Sequence, residues 1–539
     1  MEVRLAEERD VEKIAEIYRD VYGDDYPFKE LYDTQWIKRG IFDREIRWFV
    51  AATTDGLLGS AAVMLNAGDA DDLVAELGRL VVHPRARGMN LGTRLVDALV
   101  ERAANESDFI FAEARTAHVG SQVILERSGF VPVGIEPLAY ELDGFETMIF
   151  MCRLSDAARA LRRGNPRVIP AVHELAALSL TAVDIEPDAI VEPLPAPHPV
   201  LRDATGLELR HMDAAERIKL LRLGREHFMN PEVFGAFRLE HGHLKLKQHA
   251  AEYLVLARHG TVLGGLGYTF DEVEKKLFLF ELVAADPAIR GTLLERGIAR
   301  LESALNPRYL SVDVNAHATA TQQSLALLGF VPVTYAPSMV FVLGERFDVI
   351  RMVKLRQEPK LSHWQQLPTM NPVCATVEAA LFAAARGALV DDELRRVRLF
   401  DGLSDVEVAA IAALCRTASY ADGERLFRQG DEEQNLVIVV EGTVEVEQNG
   451  TRVAQLGAGD TVGEMALIER QPRSATAVAR GSARVLHIAA EDFDQITTQA
   501  PALGLRVTRN LALQLSERLR ATTRDSIPSG SSTQSAVSR

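Results

Sequence analysis

Two periodicities organise the chain of 539 residues. The segment ELGRLVV (76–82) alternates and is rich in branched side chains, which predicts a strand, whereas GTRLVDALVERAANE (92–106) carries apolar residues at helical spacing. A tight turn, HPRARGMNLG (83–92), joins them, and FIFAEARTAH (109–118) reads as the next strand. Toward the C-terminus the pattern changes to short strands punctuated by glycine: GERLFRQGD, NLVIVVEGTVEVEQNG, RVAQLGAGDTVGE and ARVLHIAAEDF. With a turn at Asn449-Gly450, these predict a β-roll or barrel. An amphipathic helix, APALGLRVTRNLALQLSERLRATTRD (500–525), closes it.

The pattern also repeats. SQVILERSGFVPVGIEP (121–137) and TQQSLALLGFVPVTYAP (321–337) share Gly-Phe-Val-Pro-Val in register, 200 positions apart. LVVHPRARG (80–88) has a counterpart in LVAADPAIRG (282–291), and VRLAEERDVEKI (3–14) in LRHMDAAERIKL (209–220). Residues 1–155 and 206–355 are therefore expected to be two copies of one unit. The prolines of IEPDAIVEPLPAPHPV (185–200) interrupt helix and central strand alike, so 156–205 reads as a Pro-rich linker. Residues 356–394 read as linker and helix, 395–525 as the glycine-punctuated domain, and 526–539 as a disordered tail.

Composition narrows the class. The formal net charge of −16 argues against a general nucleic-acid surface. No apolar run reaches the roughly 18 residues that cross a bilayer, and Met1 is followed by the acidic EVRLAEERD, so a cytoplasmic protein without a membrane partner is expected. Cys152, Cys374 and Cys415 lack metal-ligand spacing and imply neither a metal site nor a disulfide framework.

The turn at 83–92 stands where a helix N-terminus leaves backbone N–H groups unpaired and its dipole favours an anion. Its pattern V-x-P-x-x-R-G-x-x-x-G resembles the pyrophosphate loop of the GNAT superfamily of acyl-CoA-dependent N-acyltransferases, over about residues 3–150. The resemblance implies a mixed α/β sheet, acetyl-CoA as cosubstrate, and donor binding by Leu80, Val82, Arg87, Gly88, Asn90, Gly92 and Thr93. Asn90 stands where the family usually has glycine; asparagine tolerates left-handed geometry best among the other residues.

Acylating an amine needs a base for the ammonium proton, and donors for the oxyanion and the leaving thiolate. Glu113, in an E-x-R context with Arg115, matches a base used in part of the family; His118 and Glu76 are the other candidates, set against a salt-bridged Glu and a capping His. The tyrosine that often serves as general acid is replaced by Leu125. The aromatic and acidic YRDVYGDDYPFKELYDTQW (18–36) is expected to cover the acceptor, protein lysine or a small amine. Glu76 and Arg79 share the E-x-x-R strand of N-acyl amino acid synthase-like enzymes. In the second copy Leu293 and Glu295 stand where Asn90 and Gly92 do, and a carboxylate there repels pyrophosphate, so that copy is expected to be degenerate.

The run GEMALIERQPRSA (463–475) holds a glycine, a carboxylate and a guanidinium in one short stretch, a combination suited to a phosphate and a hydroxyl. It resembles the phosphate-binding cassette of the cyclic-nucleotide-binding domain found in catabolite-activator-type regulators and cyclic-nucleotide-dependent kinases. The resemblance implies Arg473 on the cyclic phosphate and Glu464 on the ribose 2′-hydroxyl, with Gly463, Met465, Ala466 and Ser474 completing the cradle. Cyclic AMP is the expected ligand and cyclic GMP the alternative. The expectation is a multidomain protein, two GNAT-like α/β domains followed by a β-roll with a long C-terminal helix that offers a homodimer surface. Its expected function is a cyclic-nucleotide-regulated acetyl-CoA-dependent N-acetyltransferase acting on protein lysine. The rivals are a small-molecule N-acyltransferase and a non-catalytic sensing scaffold.

Overall fold

The computed structural model describes residues 1–525 except 24–25, 27, 55, 66, 68–71, 87, 142–144, 194, 224–229, 236–250, 285, 357–363, 404, 413, 465–470 and 500. The expected tail, 526–539, lies outside the described residues. The chain divides into two compact units, Met1–Ala384 and Ala385–Arg539.

In the first unit, β1 (Glu2–Leu5), α1 (Val11–Tyr22) and α2 (Thr34–Phe42) lead into β2 (Ile46–Thr53), β3 (Gly56–Met64) and β4 (Val74–Val82). Then follow α3 (Leu91–Ala103), β5 (Phe109–Arg115), α4 (Gly120–Arg127), β6 (Val131–Glu141) and β7 (Phe145–Leu154). The segment 156–205 holds α5 (Asp156–Ala160), β8 (Arg167–Val168), α6 (Pro170–Ala182) and β9 (Ile190–Val191). The second half begins with β10 (Leu207–His211), α7 (Arg217–Leu223), β11 (Val233–Phe234), β12 (Glu252–Arg258), β13 (Thr261–Asp271) and β14 (Lys276–Val283). It continues with α8 (Pro287–Thr292), α9 (Ile298–Leu305), β15 (Tyr309–Asn315), α10 (Thr319–Leu327), β16 (Val331–Val342) and β17 (Glu345–Leu355).

One sheet runs through both halves in the order β1-β2-β3-β4-β5-β7-β6-β16-β17-β15-β14-β13-β12-β10. Read outward from its centre, the order is the same on either side. Among the described residues of this sheet, only β4–β5 and β14–β15 pair in parallel. The central joint is tight: Thr334 faces Gly134, and a Cβ at Gly134 would lie 2.3 Å from the Thr334 Cα. Glycine is what lets the two strands meet. Helix α3 owes its place to Leu91, Leu95, Val96 and Leu99, all buried against the sheet; each such side chain stabilises by about 1.5–3 kcal/mol.

The linker expectation for 156–205 fails. Pro170 begins α6 instead of stopping a helix, because the first turn has no intrahelical use for its missing N–H. Val172, Leu175, Ala176 and Leu180 of α6 are buried in the core. The segment before α6 is clamped by a residue of the second half: the buried Gln322 side chain accepts from Ile169 N (3.1 Å) and donates to Arg167 O (3.2 Å). Its counterpart Gln122 does the same for the segment before α11 (Asn371–Leu394), accepting from Leu367 N (2.9 Å) and donating to Gln365 O (2.7 Å). Each half thus holds the chain that leaves the other.

The second unit contains α12 (Asp405–Ala412) and the strands β18 (Arg416–Tyr420), β19 (Arg425–Phe427), β20 (Asn435–Gln448), β21 (Thr451–Leu456), β22 (Thr461–Val462) and β23 (Thr476–Ala489). They form one six-stranded sheet wrapped on Val437, Val439, Val444, Ala479 and Val485. The helices α13 (Ala490–Gln499) and α14 (Pro501–Asp525) close it, and Leu503, Val507 and Leu511 of α14 pack on Leu399 and Phe400. Among the described residues no helix is long and apolar enough to cross a membrane, and no group of three or more His, Cys, Asp or Glu is placed to hold a metal.

Candidate functional site

In the first half a wedge-shaped cleft opens where two parallel strands separate. β4 and β5 pair only from Val74–Glu76 against Phe109–Phe111, and beyond that point they part. On its other side β4 keeps β3 but bulges at Arg79, whose φ is 55°. The Tyr18 hydroxyl donates to the Arg79 carbonyl and holds the bulge. From the bulge onward Leu80 and Val82, half-buried, turn a strand edge toward the wedge. At its head α3 starts without a side-chain cap, from an Asn90 in the left-handed region (φ 54°, ψ 26°). The turn is completed by Gly88 at φ 82°, and Arg87 lies outside the described residues. Gly92 admits α4, since a Cβ there would lie 2.5 Å from Ile124 Cδ1, and Thr93 is buried beside it.

Glu113 stands on β5 where the wedge is open, half-buried beside Glu76 and the hydroxyl of Tyr140, which donates to it. Burial, then the charges of Glu136 and Glu76, push the Glu113 carboxyl up to about 7. Burial likewise raises Glu76, which keeps Arg79 at 3.7 Å. Glu136 itself is spoken for: it accepts from Arg351 (2.6 Å) and from the Tyr309 hydroxyl. Aromatic rings wall the same end, with Tyr22 on Tyr26 at 4.2 Å, Tyr26 on Phe28 at 5.3 Å and Phe28 on Tyr140 at 5.6 Å between centroids. His118 is not part of this cluster. It is exposed on the turn before α4, where Nδ1 accepts from Gly120 N at 3.3 Å. Leu125 is a core residue.

A second site lies in the other unit, a cavity of about 520 Å³ lined by Phe427, Val462, Gly463, Glu464, Arg473 and Ser474 among others. Arg473 is buried with its guanidinium 4.0 Å over the Phe427 ring. Nη2 donates to Asn435 O at 2.7 Å, while Nε and Nη1 are buried with no partner in the described structure. Desolvation lowers the pKa of this cation from its ordinary value. Gly463, at φ 86°, makes the approach feasible: a Cβ there would lie 2.1 Å from Arg473 Nη1. Glu464 is buried in the wall, Ser474 is exposed at the rim, and Met465 and Ala466 lie outside the described residues.

Residues 11–130 match the family model described as Acetyltransferase (GNAT) family, and residues 417–500 the model described as Cyclic nucleotide-binding domain. The chain carries a GNAT acetyltransferase domain and a cyclic nucleotide-binding domain. It is 38% identical over 128 residues to glutaminase 1 of Bradyrhizobium diazoefficiens, covering 24% of this chain and 21% of that protein. To the cyclic AMP receptor protein of Thermus thermophilus it is 34% identical over 127 residues, covering 23% of this chain and 57% of that one. The solved structure of the Thermus thermophilus catabolite activator protein matches at 33% identity with a TM-score of 0.22, over 24% of this chain and 61% of that chain. The chain spans only about a fifth of the length of the two Bradyrhizobium glutaminases it matches, 21% and 18%.

The GNAT wedge has a closed counterpart in the second half. There β14 and β15 also part after a short parallel pairing, but β11 enters the gap and pairs with β15 at Val314 and Asp313. Gly235 just beyond it lies so close that a Cβ would be 2.3 Å from that of Phe280. At the helix head the Asp286 carboxylate caps α8 by accepting from Ala288 N at 2.7 Å. The chain at His198–Leu201 lies across α8: a Cβ at Gly291 would be 2.2 Å from Pro199 O, and Leu201 N donates to Thr292 Oγ1 at 2.9 Å. Glu232 ties both plugs together, accepting from Arg290 (2.7 Å) and contacting His198 Nε2 (3.0 Å). The expected Glu295 is placed in a single π-helical turn, Leu293–Gly297.

Sequence reasoning missed Tyr140 and the residues of the second half that border the wedge. Tyr140 lies in GIEPLAYE, where no spacing marks it.

Proposed function

We propose that the chain is an N-acyltransferase that uses an acyl-CoA donor in the wedge of its first half and is controlled by a cyclic nucleotide in its C-terminal unit. One observation carries the reading: Glu113, with a carboxyl raised to about 7, stands at the open end of a strand separation headed by an uncapped helix. The fit to acyl-CoA rests on chemistry. The free first-turn amides of α3, with Gly88, Asn90, Gly92, Thr93 and Arg87, suit a pyrophosphate, and the strand edge at Leu80 and Val82 suits an amide-bearing arm. Acetyl-CoA is the donor to test first. The filled wedge of the second half supports a single donor site per chain and a non-catalytic, GNAT-like second copy.

A bound acyl-CoA supplies a thioester carbonyl, to which the amine nitrogen bonds as the carbon–sulfur bond breaks. Glu113 accepts the proton that the amine must lose. A carboxyl near 7 is matched to that task at neutral pH. The Tyr140 hydroxyl donates to that carboxylate and fixes its orientation, and it is the hydroxyl we assign to protonating the leaving sulfur, the role that Leu125 leaves empty. Glu76 sets the local charge, and His118 has no part in the step. For the second unit, the two unpartnered buried donors of Arg473 support a cyclic phosphate as ligand. Glu464 and Ser474 complete the reading, with cyclic AMP preferred as the ligand and cyclic GMP the alternative.

Thiol release from acetyl-CoA with amine acceptors tests the proposal. Protein lysine and a small amine are the two acceptor classes to compare. Glu113→Gln should lower turnover about 100-fold or more with donor affinity little changed, and wild-type turnover in that variant removes Glu113 from the mechanism.

A further inference from the structure

The second half places a cation beside the first half's wedge. Lys276, the first residue of β14, has its Nζ 3.8 Å from the centre of the Tyr140 ring, the same ring whose hydroxyl donates to Glu113. Lys276, Tyr140, Glu113 and Glu76 are all partly solvent-accessible. Most of the neighbouring charge is already matched. Arg351 pairs with Glu136 and Asp313, at 2.6 and 2.7 Å. Glu274 is shared between Arg308 at 3.0 Å and Lys276 at 3.8 Å. Lys276 thus shares Glu274 with a second cation. Burial lowers the Lys276 ammonium from its ordinary value, against the opposing charges of Glu274, Glu113 and Glu136.

The register of the sheet shows that this charge is a difference between the halves. Val74 against Phe109 begins the parallel pair in the first half, and Lys276 against Tyr309 begins it in the second. Likewise Phe150 faces Glu113 where Arg351 faces Asp313. Apolar residues in one half are therefore polar in the other, and the polar set borders the open wedge.

We infer that Lys276 recognises the carboxylate of the acceptor, so that the acceptor is a free α-amino acid held between Lys276 and Glu113. This rests on the acyltransferase reading above and names its substrate class. The ammonium of the zwitterion is drawn to Glu113 and Glu76, its carboxylate to Lys276, and the Tyr22–Tyr26–Phe28 wall suits an apolar side chain. A protein lysine brings a cation and no carboxylate beside it.

The test pairs leucine with isopentylamine, which differ only in the carboxylate, and adds a lysine peptide. With acetyl-CoA, wild-type kcat/KM for leucine should exceed that for isopentylamine and for the peptide by about tenfold or more, the weight of one charge-assisted hydrogen bond. Lys276→Met should collapse the leucine-to-isopentylamine ratio by about 10–100-fold, chiefly through KM for leucine, and Lys276→Arg should restore part of it. Calorimetric leucine binding to the wild-type protein gives the same answer should the methionine variant not fold. A wild-type preference for the peptide or the plain amine overturns the inference, as does an equal loss on both small acceptors, which would make Lys276 a prop for Tyr140. Failure of the acyltransferase reading itself looks different: no acetyl-CoA binding, and no thiol release with any acceptor.

Discussion

Glu113 and Arg473 are each held in an unusual electrostatic state by their neighbours, and both states are measurable. Glu113 is protonated below about 7 and ionised above it, because burial and the charges of Glu136 and Glu76 disfavour the carboxylate. A base works only when ionised, so kcat/KM should rise with pH through about 7 and level off above, and the rise should vanish in Glu113→Gln. A pH–rate profile of both proteins checks this; a wild-type profile flat from pH 5 to 8 contradicts it. Arg473 depends on a glycine in a way that the sequence motif does not explain by itself. Gly463→Val would set a side chain 2.1 Å from Nη1 at a positive φ, so cyclic AMP affinity should fall about 100-fold or more while the fold survives. Calorimetric titration and a thermal melt separate the two effects, and unaltered affinity would show that Arg473 does not meet the ligand. Arg473 could be singled out from the sequence because its contiguous cassette resembles that of cyclic-nucleotide-binding domains. Tyr140 and Lys276 could not, since they come from strands far apart in sequence and only the sheet brings them to Glu113. Gly92, read from the sequence as part of a phosphate loop, is also where α4 packs Ile124, and a side chain there disturbs that packing.

At the level of elements, the repeat was legible and its use was not. Gly129 to Val133 and Gly329 to Val333 lie at equivalent turns and strands, and the strands run in like order outward from β6 and from β16. Nothing in the local pattern of His198–Leu201 or Val233–Gly235 told that these short segments fill the second wedge, for their role depends on long-range packing. The prolines of 185–200 did read correctly as breakers, but Pro170 opens a buried helix, and that difference is one of position within the helix. The filled wedge has a direct consequence. Titration with acetyl-CoA should give one site per chain, and substituting the second half's Arg290, which is bonded to Ala284 O and Glu232, should leave the stoichiometry at one. Two equivalent sites would mean that β11 and the His198 segment are displaced by ligand.

For the whole molecule the claim is coupling between two units. Within the first unit, Val373, Cys374 and Val377 of α11 join the core, and the segment before α11 is bonded to Thr116, three residues beyond Glu113 on the chain. A nucleotide can alter acyl transfer only by as much as it binds one state of the protein better than another, typically about 1–3 kcal/mol, or 5–150-fold. The most direct measurement is thiol release from acetyl-CoA, with and without saturating cyclic AMP, in the wild-type protein and in Arg473→Leu. In the wild type kcat/KM should change by about 5–150-fold, and in the variant not at all, with its nucleotide-free rate kept. Equal rates with and without nucleotide in the wild type, with binding confirmed by calorimetry, would contradict the coupling.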